Sequence, residues 1–179
     1  MACSLTITGR SLPCRDALGG VKKVWFCTEV FDDDANGDAF YSAVGSGEIA
    51  GTSSAKTFMD FVSPKNTSSL TQTVNSSIEN GTVFYSQVLS LVCNKPVAAD
   101  IAELQNLGKG RLAIIVQDMN DNYFVMGHTR GSELSGGTVV TGTALGDMNG
   151  FTLEFTAEEA IPAPFLADSQ TNMTLTPTT

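Results

Sequence analysis

The densest grouping of metal-competent side chains is Asp32-Asp33-Asp34-Ala35-Asn36-Gly37-Asp38. Carboxylates at alternate positions ahead of an Asn-Gly resemble the start of a calcium loop, D-x-D-x-N-G, whose oxygens converge on one cation. The closing bidentate acid is missing, because Ala43 stands at the twelfth position. The competing reading is an exposed acidic hairpin turn bent at Asn36-Gly37. Asp118-Met119-Asn120-Asp121-Asn122 is a weaker candidate, without the glycine or the terminal acid. His128 is the single histidine. Thr129 and Arg130 beside it make no nucleophile constellation, and no G-x-S-x-G is present, so it reads as a surface residue in a glycine-bounded loop. The pair Glu158-Glu159 reads as solvent-exposed. Cys3, Cys14, Cys27 and Cys93 contain no C-x-x-C pair and read as free thiols in a reducing compartment. Nothing in this set proposes a catalytic pocket, a cofactor or a metal centre, and the chain reads as a structural part rather than an enzyme.

Composition narrows the class further. The chain has 179 residues, 42% of them hydrophobic, which suits one domain with a real core. Its formal net charge is -9, with only ten Lys and Arg. That argues against gripping nucleic acid, because phosphate binding draws its affinity from basic patches. It allows the opposite relation, a surface past which DNA moves without sticking. No apolar run approaches a membrane span, so no membrane partner is expected. The start, Met1 to Thr6, lacks a basic region followed by an apolar stretch, so no secretory signal is expected.

The elements that must position everything else centre on residues 68–93. Asn80-Gly81 between two strand-like runs is a strong hairpin signal, since a type I′ turn needs positive φ at both central residues. With Asn80 and Gly81 as a two-residue loop, Glu79 faces Thr82, Ile78 faces Val83, Val74 faces Gln87 and Leu70 faces Leu91. One face then carries Leu70, Val74, Ile78, Val83, Tyr85, Leu89 and Leu91, an apolar stripe fit for a core. The other face of the first arm reads Ser69, Thr71, Thr73, Asn75 and Ser77, polar and uncharged. Arms of roughly 10 residues exceed the usual strand length of about 5–6. Together with Asn80 and Gly81, that hydroxyl-rich face is the candidate surface for joining identical subunits.

Around the hairpin the chain reads as mainly β. Val21 to Val30 is β-branched and aromatic, with Trp25, the single tryptophan, as a core anchor. Gly45 to Gly51 reads as a loop or bulged edge, and Thr57 to Val62 as a short strand. Residues 96–107 read as the one helix. Pro96 stands at its first position, Gly108 at a left-handed stop, and Val97, Ile101, Leu104 and Leu107 form one apolar stripe. Leu112 to Val116 is a near-continuous apolar run, read as a buried strand, with Tyr123 to Met126 as its hairpin partner. Thr138 to Thr143 and Phe151 to Thr156 complete the strands. The expected fold is a β-sandwich or open barrel with one flanking helix, in a single domain over 1–160. Residues 161–179, rich in Pro, Thr and Ala, read as an extended C-terminal arm.

Two blocks carry a family likeness. One is Cys14-Arg15-Asp16-Ala17-Leu18-Gly19-Gly20-Val21-Lys22-Lys23-Val24. The other runs from Gly110-Arg111-Leu112-Ala113-Ile114-Ile115-Val116-Gln117-Asp118 through Tyr123 to Gly127 and on to Thr141-Gly142-Thr143-Ala144-Leu145-Gly146-Asp147-Met148-Asn149-Gly150-Phe151. Together they resemble virion structural proteins of tailed bacteriophages, of the kind that form tail tubes or tail rings. The resemblance implies subunits assembled as stacked, usually hexameric rings, with a long hairpin from each contributing to a continuous inner barrel. It implies other tail proteins as partners, a place in the phage tail after assembly in the host cytoplasm, and DNA passing through without specific binding. The hairpin departs from that pattern in bearing hydroxyls and amides, so an acidic lining would have to come from elsewhere, such as Glu79 or the acidic turn. The alternative is a β-sandwich binding module, carbohydrate-binding or adhesin-like, stapled by calcium at Asp32 to Asp38, with Trp25 or Tyr85 as a sugar platform.

Overall fold

A computed structural model describes residues 9–10, 15–31, 40–42, 44–45 and 47–176. Among the described residues the fold is mainly β, with two sheets and one helix. In chain order the strands are β1 (Val21–Cys27), β2 (Val44–Gly45), β3 (Glu48–Phe61), β4 (Ser69–Ser77) and β5 (Thr82–Asn94). Helix α1 (Ala98–Leu107) follows, then β6 (Ile114–Asp118), β7 (Tyr123–Met126), β8 (Glu133–Val140), β9 (Gly150–Glu159) and β10 (Phe165–Thr176). A six-stranded sheet runs β1-β6-β7-β10-β3-β2, and β1 also pairs with β3, so five of these strands close into a ring. The second sheet has four strands in the order β4-β5-β9-β8.

Two cores hold the layers. Val24 and Phe26 of β1 point outward from the ring and meet Leu89, Leu91, Leu153 and Phe155 of the four-stranded sheet. Trp25 and Cys27, the alternate residues, point into the ring with Phe31, Phe58, Ile115 and Val125. The second half of β1, Val24 to Cys27, and the start of β6 are therefore buried on two faces, which is why they run apolar instead of alternating. Each large side chain so enclosed contributes about 1.5–3 kcal/mol. Trp25 is 6% exposed and lies 5.7 Å from the Tyr123 ring, so it cannot serve as a sugar platform.

Several expectations change. The hairpin pairs Leu70 with Leu89, Val74 with Tyr85 and Ser77 with Thr82, two residues away from the register a two-residue loop would give. A four-residue turn is responsible: the Gly81 amide donates to the Ile78 carbonyl at 3.3 Å, and Gly81 takes φ +62. Because side chains alternate with a period of two, this slip leaves each residue on its expected face but removes Ile78 from the strand. The helix begins one residue past Val97, whose amide is capped at 2.8 Å by Asp100, so Pro96 precedes the cap. Gly108 ends it at φ -82, right-handed. Only Leu104 and Leu107 reach the core, while Val97 and Ile101 stay exposed.

Of the stretch read as an extended arm, Phe165–Thr176 forms β10, seated in the six-stranded sheet, and residues 177–179 lie outside the described residues. The strand runs parallel to β3, with Ala163 and Leu166 buried and Met173 and Leu175 packed on the ring's interior. Asn172 sits where the pairing with β3 shifts register: its main-chain carbonyl accepts from Thr52 Oγ1 at 3.0 Å, and its side-chain amide donates to the Thr52 carbonyl at 3.2 Å. Main-chain pairing with β3 supplies what a polar composition lacks. Likewise β3 spans 14 residues, so Glu48 to Gly51 is strand rather than loop.

Candidate functional site

The four-stranded sheet has one face in the core and one in solvent. On the outward face β4 places Ser69, Thr71, Thr73, Asn75 and Ser77, and β5 places Thr82, Phe84, Ser86, Val88, Ser90 and Val92. Register then puts Glu154 beside Ser90, Thr156 beside Val88 and Glu158 beside Ser86, while Glu133 lies beside Thr156 across from β8. Glu133, Glu154 and Glu158 are exposed, and no lysine or arginine stands among these residues. The face is hydroxyl-rich and carries charge of one sign, an arrangement that repels phosphate. Sequence reading found its hydroxyls but looked for the carboxylates at Glu79 and in the acidic turn; only pairing with β9 and β8 brings them to it.

Both edges of this sheet are open among the described residues. Among the described residues β4 pairs only with β5, and β8 only with β9. Open edges present unpaired amides and carbonyls to any strand that approaches. The hairpin also outruns its neighbours, since β9 ends opposite Tyr85. From that point to the tip Val74 (60% exposed), Val83 (55%) and the turn residue Ile78 (96%) are exposed. Of the candidate interface residues, Asn80 and Gly81 sit at this tip, and the five β4 residues line the open strand.

Behind β8 lies a buried polar cluster that sequence reading missed. Glu159 closes the inward series Phe151, Leu153, Phe155, Ala157 and is 2% exposed, not solvated as the Glu158-Glu159 pair suggests. Its Oε1 accepts from the Thr129 amide at 3.0 Å and the Arg130 amide at 2.8 Å. His128 Nδ1 stands 3.8 Å from Oε2, beyond hydrogen-bond reach, and its ring lies against the Thr129 hydroxyl at 3.0 Å, so this histidine is half-buried and not a free surface group. Gln87, also buried, accepts from the Gly127 amide at 3.0 Å. These bonds fix the turn that launches β8. Period-two counting from Phe151 would have placed Glu159 inward.

The remaining candidates resolve simply. Asp32 to Asp38 lies outside the described residues. In the 118–122 turn, Asp118 Oδ1 accepts from the amides of Asn120 and Asn122, each at 2.8 Å, and Oδ2 from the Asn122 side chain at 2.9 Å. Burial alone would raise the Asp118 carboxyl, but these bonds outweigh it and hold it below the ordinary range. Its lone pairs are spent on the turn. Burial pushes the Cys27 thiol up, and Cys93 up to about 11, so both stay protonated and weakly nucleophilic near neutrality. A groove of about 440 Å³ beneath α1 is lined by Phe26, Met59, Phe61 and Leu107.

No family model, no curated protein and no solved structure matches the chain.

Proposed function

We propose that this chain is a structural subunit of a tailed-bacteriophage tail tube or tail ring, which closes edge to edge with identical copies into stacked rings around a conduit for DNA. What supports it above all is the four-stranded sheet, with two open edges and a cation-free outer face of hydroxyls and carboxylates. Its strands alternate in direction, so β4 and β8 run antiparallel. Copies related by rotation about an axis along the strands therefore bring β8 of one beside β4 of the next in antiparallel order. Repeating that step closes a barrel without free edges. The hydroxyl and carboxylate face would line its inside, where negative charge lets DNA slide without binding. Ser69, Thr71, Thr73, Asn75 and Ser77 are the lateral contact, and Asn80 and Gly81 the axial tip. In the virion the partners would be identical subunits, hexameric as the resemblance suggests, and other tail proteins.

Light scattering and negative-stain imaging of the concentrated protein test this. Rings with an open centre are expected. A protein that stays monomeric at high concentration, and is missing from the virion, would end the proposal.

A further inference from the structure

We infer that the two ends of the four-stranded sheet are complementary halves of one axial contact, through which a second copy stacks head to tail. This deepens the ring proposal above and rests on it. One half is the hairpin tip, where Ile78, Val74 and Val83 are uncovered. The other is the loop joining β8 to β9, at the far end of β5, about 40 Å away at the usual rise per residue. There Leu145 is fully exposed, and Val139 (58%) and Val140 (40%) stand uncovered at its base.

That second loop is built rather than loose. Asp147 Oδ2 accepts from the Thr143 amide at 2.9 Å, the Thr143 hydroxyl at 3.1 Å and the Ala144 amide at 2.7 Å. The two amides, then the hydroxyl, hold its carboxyl below the ordinary aspartate range. Gly142 takes φ +72, and a Cβ there would stand 2.6 Å from the Asp147 Cβ. The loop thus holds Leu145 in solvent with little left to order on docking. The Lys95 amide donates to the Asn149 carbonyl at 2.8 Å, which ties an exposed lysine to this end. Glu79 is exposed at the tip. Neither Lys95 nor Glu79 forms an ion pair among the described residues. One end therefore carries an apolar prong beside the exposed Glu79, and the other an apolar prong beside Lys95, where the one acid of the loop, Asp147, is already bonded to the loop's own amides and hydroxyl. Such a pair matches by translation along the sheet, the operation that turns one ring into a stack.

The test uses full-length protein with Ile78→Asp, with Leu145→Asp, and with Glu79→Lys and Lys95→Glu singly and together. Fold is checked by melting, and assembly by imaging and light scattering. Both aspartate variants should melt as wild type and form rings, with the stacked fraction down about tenfold or more, the loss expected for one apolar anchor. Each single charge reversal should shorten the stacks, and the double reversal should lengthen them again. Aspartate variants that stack normally would overturn the inference, as would a double reversal no better than the singles. Well-folded variants that lose rings altogether would also overturn it, by moving these residues to the lateral contact. Wild-type rings that never stack would refute the axial contact and leave the ring proposal standing; no rings at all would refute that proposal first.

Discussion

Replacing Glu159 with alanine should destabilise the chain through the turn that launches β8. The carboxylate is 2% exposed and receives two backbone amides, from Thr129 at 3.0 Å and Arg130 at 2.8 Å. A hydrogen bond to a charged group nets about 1.5–3 kcal/mol. Two bonds sharing one oxygen do not add fully, and removing a buried charge returns part of its desolvation cost, so the expected loss is about 2–3 kcal/mol. At about 2–4 °C per kcal/mol for a domain this size, Tm should fall by about 4–12 °C. Glu159→Gln keeps an acceptor oxygen and should lose about 1 kcal/mol. Trp25, buried and the single tryptophan, reports urea unfolding by fluorescence. Amide exchange at Thr129 and Arg130 reports the turn directly and should speed up in the alanine variant. Stability within about 0.5 kcal/mol of wild type, the usual range of surface changes, together with unchanged exchange at those amides, would refute the reasoning.

Three further outcomes follow from the same geometry. Gly150→Ala would place a Cβ 2.2 Å from the Cys93 carbonyl, so urea unfolding should show a loss of about 1–3 kcal/mol as β9 is forced away from β5. Converting both Glu154 and Glu158 to lysine should leave rings intact but make them retain DNA in a salt-dependent way, measured by filter binding against wild-type rings. The Cys93 thiol, raised to about 11 by burial and then by Asp100, should be alkylated slowly at pH 8 in peptide mapping and faster as the pH nears that value. Because its folded value is raised, the stability it contributes is full below the ordinary thiol range and is lost as pH rises toward about 11, which melting across that window checks.

Much of the fold was legible. The apolar run Leu112 to Val116 announces a buried strand, the β-branched and aromatic Val21 to Val30 a further strand, and Asn80-Gly81 a hairpin; that β1 is covered on both sides shows only in the two cores. Alternation from Leu70 to Leu91 assigns faces correctly even though the pairing lies two residues away, because a slip of two restores the same side. The turn itself was not legible, since a two-residue and a four-residue loop share the same Asn-Gly. Nor was β10: its only apolar alternation is the short Met173-Thr174-Leu175-Thr176, and its partner β3 lies more than a hundred residues earlier. The helix stripe was legible only in part, because the space under Val97 and Ile101 is left open by elements the helix cannot foresee.

For the candidate assembly surface the division is cleaner. Sequence alone determined that one arm would offer hydroxyls while its partner buried leucines, since alternation is a local property of the chain. Tertiary structure alone decided that Glu133, Glu154 and Glu158 share that face, and that, among the described residues, no cation joins them and β4 and β8 are left as edges. Which strands lie side by side is set by the closing of two distant cores, and no local spacing encodes it.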